Sequence, residues 1–378
     1  MIKLFIKYGI VIFLFNTILL SIKSTFALGN ILFLFLMVIF LIVLMINNRL
    51  IKEVIFHKSF NFLLILNVIN IIYFILFHSV DDIEALKYLF ARGIQFSIIS
   101  LSIYHNFEYL KTKFLDHIVS VVFFISILGF LVNPSIFSGR YSGIIWNPNM
   151  LASFAVIAFS ILFLKKESYS NYDISLMLFF FLISIATGSR GAIVGIALAF
   201  LVKYGFARRN LIYAALTIVG ILVISSINLD TSINRLAEQS LFNDRLLQYE
   251  YAWQTIKSKL FSGNGLDKYA YIDISLVPIY LKGLIISSHN GYLAILTQYG
   301  LVFGGAVLLV IINKSIQVVS FFKDTSENER IYLFIVIYAL FAAIYETLIT
   351  GINEFHTILF WFSLAFLSYS KYKMEDAS

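Results

Sequence analysis

Apolar runs long enough to cross a hydrocarbon core recur along the chain, separated by short polar connections. A helical span needs about 20 residues. The pattern predicts helices over residues 3–22, 26–46, 58–78, 88–104, 116–133, 147–164, 174–187, 190–204, 211–227, 291–312, 330–349 and 354–370. Pro134, Pro148 and Pro278, the three prolines, fall at predicted span ends or in loops. The expected fold is therefore all-α, a polytopic membrane bundle of about 12 transmembrane helices in a single membrane domain over residues 1–378.

Two stretches depart from simple alternation. Residues 174–204 are continuously apolar except for Gly188 to Gly191; as one helix they would be about 45 Å long, more than a bilayer core. An arginine at the centre of a lipid-facing helix is costly, so a turn opening on water or a cavity is predicted there, placing Arg190 near the outer surface. Residues 228–289 form one large loop. Within it, 244–260 read as an amphipathic helix with an apolar seam of Leu246, Tyr249, Trp253, Ile256 and Leu260. Gly263-Asn-Gly265 stops that helix, and the apolar stretch 276–286, too short to span, is expected at the membrane interface.

Composition agrees with a membrane protein: 60% of residues are hydrophobic and 13% charged. The net charge of +7 is explained by where the bases sit. With the N-terminus cytoplasmic, Arg49, Lys52, Lys58, Lys111, Lys113, Lys165, Lys166, Lys203, Arg208, Arg209, Lys314, Lys323, Lys371 and Lys373 fall on the inner side. Only Lys23, Lys87, Arg140 and Arg190 mark the short outer connections, so the positive-inside rule selects this orientation and no nucleic-acid partner is needed. The first apolar segment, basic at its start like a signal peptide, is read as a retained helix because spans follow at once. The chain has no cysteine, and it lacks a phosphate-binding P-loop, a dinucleotide fingerprint and His or Cys clusters at metal spacing. No cofactor is predicted.

Candidate chemistry gathers on the expected outer side. His289 ends the long polar loop, and a neutral imidazole there can take a proton from a sugar hydroxyl; a packed or interfacial histidine is the plainer reading. His57, His105 and His117 map to the inner side, leaving His78 and His356 as rivals. Arg190, Arg245 and Arg140 are candidate anion ligands, because a guanidinium stays ionised when partly desolvated and grips phosphate through paired donors. Each also suits a residue that snorkels to headgroups or faces solvent. Asn147 and Asn149, around Pro148, serve equally as helix caps or as partners for sugar hydroxyls. Asn290 adjoins His289, and Glu346, near the outer end of its predicted span, is placed to orient the histidine or pair with an arginine.

These pieces together resemble the bacterial O-antigen ligase and O-antigen polymerase family. The resemblance is carried by Arg140 and Gly143 leading into Asn147-Pro-Asn149, the turn from Thr187 to Gly191, Arg245 with Trp253, Gly263-Asn-Gly265, and His289-Asn290 before Gly300-Leu301. It covers residues 139–312, including the loop 228–289. It implies a GT-C-like, metal-independent glycosyltransferase of the bacterial inner membrane, its site facing the periplasm or cell exterior. The implied partners are an undecaprenyl diphosphate-linked oligosaccharide, an acceptor glycan and the bilayer, with a chain-length regulator as a further partner it allows. By resemblance His289 activates the acceptor, Arg190, Arg245 and Arg140 hold the diphosphate, and Asn147, Asn149, Asn290 and Glu346 shape the site. Polymerase, ligase and lipid-linked oligosaccharide transporter all remain open. The polar residues gather at outer span ends rather than through span centres, which favours an enzyme, and the Asn-Pro-Asn and Ser-Arg-Gly motifs, occurring with a compact outer loop, lean towards a polymerase.

Overall fold

The apolar segments fold as helices, and with the exception of α12 (Glu329–Ala342) their ends fall near polar residues or glycines that interrupt them. The computed structural model describes residues 2–376 apart from 47, 137–138, 166, 206, 214, 217–242, 284 and 325–327. In chain order the helices are α1 (Ile2–Ser21), α2 (Phe26–Ile46), α3 (Asn48–Ile55), α4 (Asn61–Phe77), α5 (Ile83–Thr112), α6 (Phe114–Val132) and α7 (Pro148–Lys165). They continue with α8 (Asn171–Ala186), α9 (Arg190–Tyr204), α10 (Asn243–Ser258), α11 (Gly291–Phe322), α12 (Glu329–Ala342) and α13 (Phe355–Asp376). Among the described residues six helices are long and apolar enough to cross a membrane: Lys3–Ser21, Lys23–Ile46, Lys58–Phe77, Phe114–Val132, Pro148–Lys165 and Gly291–Phe322. Most of the expected span 211–227, and the first part of the expected loop, lie outside the described residues.

α13 forms the central post. Every residue from Phe355 to Ser370 is buried, as expected of a helix that is apolar all round and packed on all sides. It lies against α5, α11, α12 and α1, while α7 packs on α8, α9 and α6. The turn at Gly188, with positive φ, separates α8 from α9 where the arginine was expected to force a break.

Two expectations are corrected, and the protein-facing side of α10 is added to a third. Helix α12 stops at Ala342, not at residue 349, and 343–354 run without an α-helix; apolar Ile344, Leu348 and Ile349 conceal this from hydropathy. α5 extends well beyond 88–104 at both ends, with a kink at Asn106. The buried stripe of α10 is Gln248, Ala252, Thr255 and Ile256, whereas Leu246 and Trp253 are exposed. Ala252 packs with Ile272, Val277 and Ile285 of the following loop, and its small side chain lets that loop approach closely.

Two devices fix that loop on the bundle. Gly263 and Gly300 both have positive φ, and their backbones touch: a Cβ on Gly263 would lie 2.3 Å from the Gln298 carbonyl oxygen, and one on Gly300 would lie 2.6 Å from that of Phe261. Across this junction the Asn264 amide donates to the Thr297 carbonyl and the Leu301 amide to that of Leu260, at 2.9 and 2.7 Å. The two glycine motifs noted in the sequence are thus a single contact, and Gly300 kinks α11 there. The second device is His78, whose Nδ1 donates to Asp82 at 2.6 Å while Nε2 accepts from the Leu266 amide at 3.1 Å. That bond holds the Asp82 carboxyl below the usual range.

Candidate functional site

The site is built on the non-helical strip 343–354, whose carbonyls have lost their helical partners and must find others. Helix α11 supplies some: the Gly291 amide donates to the Ala343 carbonyl at 2.7 Å, and Asn290 Nδ2 to that of Ile344 at 2.8 Å. α10 supplies others, with Tyr249 donating its hydroxyl to the Ile344 carbonyl at 2.6 Å and Arg245 Nη1 donating to that of Tyr345. α5 reaches the far end of the strip, where Arg92 donates to the Thr350 and Gly351 carbonyls at 2.5 and 3.2 Å and Gln95 Nε2 to that of Ile352.

Held in this way, Glu346 is the meeting point of the predicted site residues. Its Oε1 accepts from Arg245 Nη2 at 3.1 Å and from Asn149 Nδ2 at 3.0 Å, and its Oε2 lies 3.6 Å from His289 Nδ1. Behind Asn149 stands Arg140, which donates Nη2 to the Asn149 side-chain oxygen and Nε to the Thr187 carbonyl at 3.3 Å. Side chains from α7, α10 and the residue preceding the cap of α11 therefore converge on one carboxylate, with Arg140 of the α6–α7 connection one bond behind. The α8–α9 turn joins them from the side: Arg190 opens α9 half-buried, and Gly191 next to it packs so closely on the Tyr345 ring that a Cβ would come within 2.9 Å.

The electrostatics follow. Burial pushes the Glu346 carboxyl up, but the adjoining His289 and the Arg245 guanidinium outweigh it and hold the group below the usual carboxylate range. Among the described residues Arg245 donates three hydrogen bonds, including one to the His289 carbonyl at 3.4 Å, and a guanidinium has five N–H donors, so it retains donors for an anion.

His289 has a left-handed backbone, φ 39°, which costs a non-glycine residue about 1 to 2 kcal/mol. The flanking bonds impose it. The Ser288 amide donates to the Ala270 carbonyl at 3.3 Å, and the Asn290 side chain caps α11 by accepting from the Tyr292 and Leu293 amides, both at 2.9 Å. The imidazole points one nitrogen at Glu346 and remains 40% exposed, the most open of the three ionisable groups here.

Not every predicted residue has the same standing. Asn147 caps α7, its side-chain oxygen accepting from the Asn149 amide at 2.8 Å, while Asn149 reaches the carboxylate. The rival histidines are accounted for: His78 is spent on the loop, and His356 is buried against Phe154 within the bundle. Sequence reasoning missed Arg92, Gln95 and Tyr249. For Arg92 the signal was present, since an arginine within a predicted span demands a reason.

Residues 175–310, from α8 to α11, match the family model described as O-antigen ligase. No curated protein matches the chain. The matched region contains the Arg190 turn, Arg245, His289 and Asn290; the strip carrying Glu346 follows it in sequence and meets it in space.

Proposed function

We propose that this chain, whose residues 175–310 match the model of the O-antigen ligase family, is a membrane glycosyltransferase that polymerises lipid-linked repeat units of O-antigen or a related surface polysaccharide. Its donor is an undecaprenyl diphosphate-linked glycan and its acceptor a sugar hydroxyl. The observation that carries this reading is the Glu346 carboxylate, shared by Arg245, Asn149 and His289.

In this reading Glu346 faces His289 Nδ1 and orients the ring, so that Nε2 is the nitrogen available to the acceptor. Nε2 takes the hydroxyl proton as the oxygen attacks the anomeric carbon; the bond to the diphosphate oxygen breaks, and undecaprenyl diphosphate departs with the electron pair. Glu346, kept ionised, stabilises the imidazolium that forms. Arg190, Arg245 and Arg140 meet the charge growing on the leaving diphosphate, the kind of stabilisation that dominates many barriers. With that charge answered by guanidinium groups, the step is proposed to need no divalent metal. Asn149 keeps Arg140 and Glu346 in register, Asn290 fixes the backbone of His289, and Asn147 sets the start of α7. The basic residues at the opposite end of the bundle, among them Lys111, Lys165 and Lys203, support an orientation in the inner membrane with the site on the periplasmic side.

A ligase is the second reading, favoured by the description of the matched family: the same chemistry would deliver the glycan to lipid A-core. Purified protein incubated in EDTA with the host's undecaprenyl diphosphate-linked repeat unit separates the two. A ladder of lengthening lipid-linked glycans with release of undecaprenyl diphosphate is expected. Transfer only after lipid A-core is added makes it a ligase, and folded protein that transfers under neither condition overturns the reading. His289→Ala should remain folded and slow transfer by about a hundredfold or more.

A further inference from the structure

A deeply buried arginine holds the strip from a helix that contributes no residue to the Glu346 cluster itself. Arg92 lies about 13 Å along α5 from its first residue, nine positions at 1.5 Å rise, and is only 4% exposed; Gln95, one turn on, is 2% exposed. A guanidinium buried among apolar helices is destabilising unless its donors are taken. Arg92 spends them on the Tyr88 hydroxyl at 3.1 Å, on Gln95 Oε1 at 3.4 Å and on the Thr350 and Gly351 carbonyls, with the Tyr88, Phe96 and Trp361 rings about it. Gln95 adds the Ile352 carbonyl. Three consecutive carbonyls are thus held from one helix.

We propose that Arg92, with Gln95, is the positioning device that sets the Glu346 carboxylate opposite His289 by gripping the carbonyls of residues 350–352. The connection between anchor and carboxylate is short and stiff. Thr350 donates both its amide and its hydroxyl to the Thr347 carbonyl, at 3.3 and 3.0 Å, closing a turn that begins one residue after Glu346. Packing is incomplete beside the anchor, where a cavity of about 30 Å³ is lined in part by Asn70, Tyr88, Arg92, Gln298 and Thr350. The bonds to the carbonyls of residues 350–352 therefore add to the packing of Leu348 and Ile349 in holding the strip. Arginine suits the task better than lysine, since its planar fork spans adjacent carbonyls whereas an ammonium presents a single centre.

This role rests on the glycosyl-transfer reading, and two measurements keep the two apart. Hydrogen exchange of the purified protein needs no substrate: in Arg92→Met, amides of 343–354 should exchange about tenfold faster or more, while those of α11 stay as in wild type. Steady-state kinetics with the host's undecaprenyl diphosphate-linked repeat unit should show kcat lowered about tenfold or more with the donor KM within about threefold, and Arg92→Lys recovering part of the loss. Added to Glu346→Gln, Arg92→Met should cost no more than about a further threefold, because both act through the same carboxylate. Unchanged exchange in 343–354, or losses that multiply in the double variant, overturns the proposal. Wild-type protein that transfers nothing overturns the glycosyl-transfer reading instead, and the exchange result still decides whether Arg92 positions the strip. If Arg92→Met does not fold, Gln95→Leu, which removes one of the three anchored carbonyls, gives a milder form of the same readouts.

Discussion

Two strips of non-helical chain meet the bundle in opposite ways. At 259–265 the main chain lies directly on α11, glycine against glycine, with no space for a side chain at Gly263 or Gly300. At 343–354 the main chain is held at its carbonyls by side chains from α5, α10 and α11. The first contact is all or nothing and behaves as scaffold. The second is a sum of separate bonds, each worth about 1 kcal/mol net, so the carboxylate it carries can be adjusted one residue at a time. The Glu346 cluster, to which the proposed glycosyl transfer is assigned, is attached to the adjustable strip and braced by the fixed one.

The sharpest way to break this contrast is at the junction. Gly263→Ala puts a methyl group into main-chain atoms that cannot yield, and the variant should lose about 3 kcal/mol or more of stability, seen as little monodisperse protein on size-exclusion chromatography. Arg245→Lys keeps the charge but loses the fork shared between Glu346 and the Tyr345 and His289 carbonyls; transfer should fall by roughly 10- to 100-fold in a protein that still purifies intact. Asn149→Ala removes one link, between Arg140 and Glu346, and should slow transfer about tenfold or less without moving the melting temperature by more than a few degrees. The smallest effect is on pH dependence. The folded Glu346 carboxyl titrates below its unfolded value, so its pairing adds stability that is present above about pH 4.3 and lost as the pH falls through the lowered folded value. Glu346→Gln should therefore melt below wild type at neutral pH, with the gap closing below about pH 4.

Much of the site was legible because its residues interrupt a pattern. Arg190 betrays a turn inside an apolar run too long for one span, and His289-Asn290 sits where a polar loop meets a helix that needs a cap. The end of α12 was not legible, since Ile344, Leu348 and Ile349 continue the apolar run while their backbone leaves the helix. The face of α10 that meets the protein was not legible for a related reason: besides Ile256 it is lined by Gln248, Ala252 and Thr255, suited to bonding and close approach rather than to hydrophobicity. Arg92 carried a clear signal, an ion within a span, but its partners are carbonyls some 260 residues away, and no local pattern announces a carbonyl.

The kink at Gly300 has a mechanical consequence. α11 is 32 residues long, about 48 Å as a helix, whereas a hydrocarbon core measures roughly 30 Å. Its first portion is pinned to the glycine junction and carries Asn290 at its tip, so the excess length is taken up by a bend at a fixed point, and the height of the His289 end on the bundle is set by the 259–265 strip rather than by the length of α11.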